Sequence, residues 1–473
     1  MASANIAFDT IPASIRKPGK YFEFNTRLAV RTLPGNPQRV LAVGQRLPGA
    51  NQPPLQAVAV FSDEEAARLF GHGSMLHLMA RAAIQANPYI QLTLLGVDDA
   101  AAGVAATATV TLTGPATAAG ALALYIAGVR VDIAIASQAT ATELATALAA
   151  AVNGIPDLPV TATAAAAVVT IKARHKGQAG NDIKLATLVQ AGGVTAVVSA
   201  MAGGLNDPDL APALAMVAGN QYEVLVCPFP TQTALTAVRT HLDFVSGALE
   251  QRPGVAAAGW PGSLATGTTL AASINSGRIG IAWHRGSQKQ PYQIAAGFAA
   301  VIASEEDPAR PLNTLAINSL DVTASEQRPL RTEQENALYN GLTPIEIGPG
   351  DRPQIVRAVT TYTVDPQGVS DISLLDLTTI RTLDYVRKAC RERIALRFPR
   401  DKLSQRTPPK VRSELLDVLF KLEELEFVEE VDANKAGLIV ERDLQSPNQL
   451  NAKIPADVVN GLHVFAGRID LLL

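Results

Sequence analysis

Cysteine is almost absent: 473 residues carry two, Cys227 and Cys390, far apart and each inside an apolar periodic segment. That placement reads as buried free thiols in a reducing compartment, and it leaves no pair for a disulfide or a metal. Charge of one sign is also missing. Forty Lys and Arg against 43 Asp and Glu give a net charge of −3, which excludes both a global basic field for nucleic acid and the acidic character of a disordered chain. The N-terminus "MASANIAFDTIPASIRKPGKYFEF" has acid and proline where a secretory signal needs its apolar stretch. Three stretches lack charge altogether, 100–129, 185–206 and 253–277, but they are rich in Gly and Ala. Their hydropathy at a bilayer centre is poor, so they read as β-structure or tightly packed α/β core, with no membrane insertion.

What is present is alternation. From Arg39 the runs "VLAV" and "LQAVAVF" read as strands. "SDEEAARLFG" follows as a helix with Ser62 and Glu65 in a capping box and Gly71 at its end, then a helix over 74–86 and the strand "YIQLTLLGV". The pattern breaks at Asp98. Up to Gly204 the chain turns Ala/Thr/Val-rich, with alternating runs "TVTLTG", "ALALYIAG", "VRVDIAIAS" and "VVTIKAR" around one helix capped by Thr140 and Glu143. After Gly204 the strand and helix alternation resumes, including a helix whose Leu235, Val238, Leu242, Val245 and Leu249 form one apolar stripe. Repeated β-α-β units imply a mainly parallel sheet covered on both faces.

Beyond Leu320 a helix capped by Thr332 and Glu335 leads to "IEIG", a turn at "PGDR" and a long strand "PQIVRAVTTYTVD", expected to form a hairpin and open an α+β C-terminal domain. A helix over 377–398 carries Ile380, Leu383, Val386, Cys390 and Ile394 on one face and basic residues on the other. Residues 381–402 hold eight Lys/Arg against three Asp/Glu, a balance of +5. The next predicted helix, 411–432, holds two against eight, a balance of −6. Such runs are either solvated helix faces or contact surfaces between copies or with a charged partner.

Catalytic and metal signatures are missing. There is no G-x-S-x-G elbow, no phosphate-binding G-x-x-x-x-G-K-[ST] and no G-x-G-x-x-G turn. His72 and His77, five apart, diverge by about 140° on a helix and lack the Glu that a zinc protease places after the first His. The nearest approach to a nucleophile turn is "GWPGSLATG", where Ser263 reads more simply as a helix cap. His241 and His284 have no spacing that selects either as a base. No catalytic residue, metal or cofactor is expected.

The stretches "FDTIPASIRKPGKYFEFNT", "GLTPIEIGPGDRPQIVRAVTTYTVD" and "DLTTIRTLDYVRKACRERIALRF" together resemble the tail sheath proteins of Mu-like contractile-tailed bacteriophages, over a region running from about residue 6 to the C-terminus. The resemblance implies an α/β fold with a subtilisin-like doubly wound core used as architecture, not as a protease. In that frame residues 1–37 are an extended arm, 38–97 plus 205–320 the core domain, 98–204 an outward-facing β-rich insertion, 321–460 an α+β domain facing the tube, and 461–473 a donated strand. It implies hexameric rings stacked into a helical sheath around a tail tube protein, with baseplate and tail terminator proteins at the ends. Contraction drives the tube through a host envelope, and assembly takes place in the host bacterial cytoplasm. The alternatives are a subtilisin-like serine hydrolase and a surface adhesin with a β-rich module.

The chain ends "GRIDLLL", a period-two pattern with Ile469, Leu471 and Leu473 on one side. By the resemblance, both termini cross to neighbouring subunits and pair there as strands. The C-terminal donor offers those three residues and the N-terminal one offers Tyr21, Phe22 and Phe24; the alternative is a strand folded back on its own sheet edge. Arg381, Arg387, Lys388, Arg391 and Arg393 are the expected cationic surface for the tube.

Overall fold

The computed structural model describes residues 14–22 and 33–472. The chain divides into two compact units. The larger is Asn36–Val386 with Glu426–Glu430 and Ala456–Leu473; the smaller holds Arg387–Leu425 and Val431–Pro455, with the described residues up to Gly35.

The larger unit is built on an eight-stranded sheet. Its strands are β1 (Arg39–Gln45), β2 (Ala57–Val60), β3 (Gln91–Val97), then, past the insertion, β11 (Val224–Val226), β12 (Val255–Trp260), β13 (Ile279–Trp283), β14 (Thr343–Gly348) and β15 (Arg352–Ile355). They lie in the order β15-β14-β13-β12-β11-β1-β3-β2, with the six inner strands parallel and an antiparallel strand at each edge. Apolar runs such as Val40–Val43 and Ala256–Ala258 are wholly buried, as strands of a doubly covered parallel sheet must be. Helices α2 (Met75–Ala86) and α7 (Pro291–Ser304) pack on each other and on this sheet, and every residue of α7 from Pro291 to Ala303 is buried. Gly259 in β12 permits that approach, because a Cβ there would stand 2.2 Å from the Pro291 carbonyl oxygen. Helix α1 (Asp63–Phe70) is capped by Ser62 and ended by Gly71 at φ +97, as the sequence predicts. A second row, α4 (Ala211–Val217), α5 (Gln232–Val245), α6 (Leu264–Ile274) and α8 (Arg331–Tyr339), packs in succession.

Between β3 and α4 a second hydrophobic core assembles entirely from residues 106–201. One sheet has the order β10-β4-β8-β7, from β4 (Thr107–Leu112), β7 (Val160–Ala165), β8 (Val168–Ala173) and β10 (Ala196–Val198); another has β6-β5-β9, from β5 (Gly120–Ile126), β6 (Val129–Ile135) and β9 (Leu185–Gln190). Helix α3 (Ala141–Asn153) carries the expected Thr140–Glu143 capping box. Asn153 closes the free edge of β7: its amide donates to the Ala162 carbonyl at 2.8 Å and accepts from the Ala162 N–H at 2.9 Å. A plugged edge cannot recruit another strand.

Several expectations are corrected. α5 ends at Val245, so Leu249 falls outside the stripe and is 96% exposed. α8 begins at Arg331 and is closed by the Leu330 N–H donating to the Glu333 carboxylate, which leaves Thr332 inside the helix. The long strand after "PGDR" is continuous only to Ile355, beyond which Val359 and Val364 make isolated antiparallel bridges to Asp376 and Ser370. β14 adds parallel to β13, because its Thr343–Ile345 stretch is as buried as an inner strand. Residues 321–386 fall within the larger unit. β7, β9 and β10 escape the sequence reading, being short and Ala/Thr-rich. The two long helices are α9 (Leu377–Arg397) and α10 (Thr407–Glu424); the second stops well short of Asp432, and β16 (Val428–Glu429) follows. Among the described residues no helix is long and apolar enough to cross a membrane. Both cysteines are buried and free.

Candidate assembly surfaces

In an open α/β sheet a ligand site forms beyond the carboxyl ends of the strands, where the strand order reverses. Here the order reverses between β1 and β11, and the neighbouring carboxyl ends of β1 and β3 are taken by the root of the insertion. The Gln45 amide, fully buried, donates to Asp99 Oδ1 and to the Lys176 carbonyl oxygen, both at 2.7 Å. His175 bridges Asp99 Oδ1, at 3.0 Å, and the N–H of Met75 at the start of α2. Beside it Asp157 receives Arg81 at 2.6 Å and His72 at 2.8 Å. Burial pushes the His77 imidazole down to about 4, helped by the nearby Arg81 guanidinium, and the Gly73 N–H donates to Nδ1, which leaves the neutral ring's proton on Nε2. These contacts are structural on both sides. Among the described residues no group of three or more His, Cys, Asp or Glu could hold a metal ion. Ser263 is the N-cap of α6, accepting the Thr266 N–H and sharing a 2.6 Å contact with the Thr266 hydroxyl. His284 is buried with Nε2 on the Asp321 carbonyl oxygen, and burial lowers its pKa. His241 sits in α5, its pKa likewise lowered by burial. Among the described residues these serine and histidine candidates are not brought together as nucleophile and base.

The chain termini have a different character. Every described residue of 14–22 is exposed, with Phe22 at 88%; the Tyr21 hydroxyl donates back to the Lys17 carbonyl oxygen. At the other end, after β19 (Asp457–Val458) pairs with β16, no described residue enters a strand and every described side chain from Val464 on is exposed. Phe465, Ile469, Leu471 and Leu472 stand at 83–99% exposure. Phe24 and Leu473 lie outside the described residues.

The smaller unit offers a matching deficit. Its β17 (Ile439–Arg442) and β18 (Leu450–Lys453) form an antiparallel pair, and among the described residues no strand covers either outer edge. Asp443 sets the turn, its carboxylate accepting the N–H groups of Gln445 and Ser446 and the Asn451 amide. Arg412 of α10 holds the base by donating to the Leu438 and Lys435 carbonyls. An isolated pair of strands is marginal in water and gains from a third. The signal was legible in "LIVER" and "LNAK" flanking "DLQSPNQ", two short runs around turn-forming residues, but their alternation is weak.

The five basic candidates separate. Arg381 is 8% exposed, with Nη2 donating to Gln38 Oε1 and to the Glu305 carbonyl oxygen; burial pulls its pKa to about 10. Arg393 is 5% exposed and ion-paired with Glu414 and Asp417 of α10. Both are interior, because a long helix buried along one face carries its neighbours partly inward. Arg391 is exposed, and Arg387 and Lys388 are half-exposed, Lys388 reaching the Gly35 carbonyl oxygen.

Comparison with known proteins agrees across sequence and shape. The phage tail sheath protein central domain family matches residues 203–361 and the phage tail sheath C-terminal domain family residues 369–471. The Mu-like prophage FluMu tail sheath protein of Haemophilus influenzae is 32% identical over 99% of this chain and 100% of its own length. The crystal structure of a sheath tail protein from Desulfitobacterium hafniense superposes with a TM-score of 0.51 at 12% identity, over 94% of this chain and 97% of that one. The helical sheath of the anti-feeding prophage in its contracted state gives 0.51 at 12% identity, over 97% and 99%. Those two likenesses concern the fold.

Proposed function

The chain belongs to the phage tail sheath protein family, a structural family without an enzymatic site, and from that premise we propose that it polymerises as hexameric rings into a helical, contractile sleeve around a tail tube. The observation that carries this reading is a pair of complementary deficits in one chain: a terminal segment of exposed alternating aliphatics with no strand partner, and a two-stranded sheet with open edges. Strand addition satisfies both, since main-chain hydrogen bonds make the join and Ile469, Leu471 and Leu473 enter the host core. Tyr21, Phe22 and Phe24 serve the same purpose at the N-terminus. Such joins survive while the bodies of the subunits move, so contraction exchanges contacts between bodies without dissolving the lattice.

Arg387, Lys388 and Arg391 remain the cationic surface for the tube; each exposed pair contributes about 0–1 kcal/mol, and grip comes from repetition. The insertion, with its own core and a plugged edge at β7, faces outward and is carried along. The core is read as subtilisin-like in its strand and helix alternation. Baseplate and terminator proteins cap the sleeve, which is built in the host bacterial cytoplasm. Negative-stain microscopy of the concentrated, purified chain tests the reading: hollow sleeves are expected, and a persistent monomer at high concentration would overturn it.

A further inference from the structure

The two ends of the chain, remote in sequence, are fastened to one loop. The loop is 305–313, which follows α7. On the N-terminal side the Asn36 amide donates to the Glu306 carbonyl oxygen at 2.7 Å, and Arg381 clamps Gln38 Oε1, at 3.2 Å, to the Glu305 carbonyl oxygen, at 2.6 Å. On the C-terminal side the Asn313 amide donates to His463 Nδ1 at 2.9 Å, while Nε2 faces Asp376 at 3.5 Å, and Asp376 is itself held by both ends of the Arg357 fork. Gly461 lies flat on Pro311, where a Cβ would come within 2.6 Å of the ring. His463 is the last described side chain that its own subunit shelters.

The loop is stiff. The Glu305 carboxylate accepts the Asp307 N–H and faces Arg310, Asp307 accepts the Ala309 N–H, Leu312 is buried in the core, and the Thr314 N–H is tied to the Ile355 carbonyl oxygen of β15. A shift at one fastening is therefore carried to the other, as packed and hydrogen-bonded elements move together.

We propose that loop 305–313 is the common mount of both terminal arms and couples them, so that the state of one arm is felt at the root of the other. This rests on the strand-donation reading for its biological use. The ten residues after His463 span at most about 35 Å when extended, so a host hairpin must lie within that distance of the mount. A subunit whose C-terminal strand is held by a neighbour then presents its N-terminal root in a fixed position, which favours sequential filling along the sleeve.

Hydrogen exchange on the full chain, unassembled, tests the coupling. Asn313→Ala is expected to speed exchange at Val459, whose N–H donates to the Phe427 carbonyl oxygen, and also, by about tenfold, at Arg39, whose N–H donates to the Glu223 carboxylate. Reciprocity of coupling requires Asn36→Ala to speed exchange at Val459 by a similar factor. His463→Gln is the conservative second variant should either amide variant unfold, and exchange in α7 is the control for folding. A remote root unchanged within twofold, while the mutated root is freed, overturns the proposal, as does a mutated root that stays protected. Strand donation is read separately, from protection of Val464–Leu472 on sleeve formation; its absence would end that reading and leave the coupling result standing.

Discussion

Truncation after Gly467 removes the last six residues, and the structure sets the size of the two effects to be compared. Within the subunit the loss is near zero. Ile469 is 99% exposed, Leu471 83% and Leu472 92%, and no strand receives them, so stability should stay within about 0.5 kcal/mol, the range of surface changes away from any contact. Between subunits the loss is large. Three aliphatic side chains going from exposed to buried are worth about 1.5–3 kcal/mol each, and each backbone hydrogen bond adds about 0.5–1.5 kcal/mol, against an ordering cost of about 1–2 kcal/mol per residue. The surplus is a few kcal/mol per join, which over a polymer decides assembly. The assay pairs thermal unfolding of the soluble truncated chain with microscopy for sleeves. An unchanged melting temperature and no sleeves are expected. Normal sleeves would refute the donated strand, and a truncated subunit that melts many degrees early would show that the segment belongs to its own chain.

Charge reversal at Arg387 and Arg391 should weaken sleeve assembly on purified tubes at low salt and matter less as salt screens the wild-type contact, which co-sedimentation across a salt series would measure. Asp182 provides a pH test: burial raises its carboxyl to about 6, with Asp207 adding to the rise and Lys184 opposing it. Its charged form is thus costly in the folded chain. That penalty is absent below the unfolded value near 3.8, grows as pH rises, and is complete above 6, at about 3 kcal/mol. Asp182→Asn should raise the melting temperature at pH 7.5 and leave it unchanged at pH 4; an equal shift at both would sink the assignment. Gly259→Val should destabilise by about 3 kcal/mol or more, because the side chain would meet the start of α7, and soluble protein with wild-type melting would contradict the packing described. Ser263→Ala should reduce stability by about 1 kcal/mol, as loss of a cap does, and leave sleeve formation intact.

Periodicity and punctuation were enough for the body of the larger unit. Apolar runs such as "VLAV" and "VAAAGW" could only be inner strands, and caps at Ser62 and Thr140 and the glycine at 71 act through neighbours a few residues away, so local chemistry decides them. The Thr332 cap failed for the same reason in reverse, since Leu330 and Glu333 offered an equally local closure two residues earlier. The apolar alternation of residues 469–473 was also written in the sequence. The resemblance at both ends of the chain named the family, which no single motif could have done.

Tertiary structure decided whatever depends on residues distant in the chain. Charge counting put Arg381 and Arg393 on a cationic face, but the fold turns them inward, toward Glu305 in one case and Glu414 and Asp417 in the other. Whether a basic side chain is solvated depends on what packs over its helix, and one helix's sequence does not record that. The meeting of Asn36 and His463 on one loop is likewise long-range geometry. Hydrogen-bond partners separated by hundreds of residues leave no periodic trace, so only the folded chain fixed what holds the roots of its two ends.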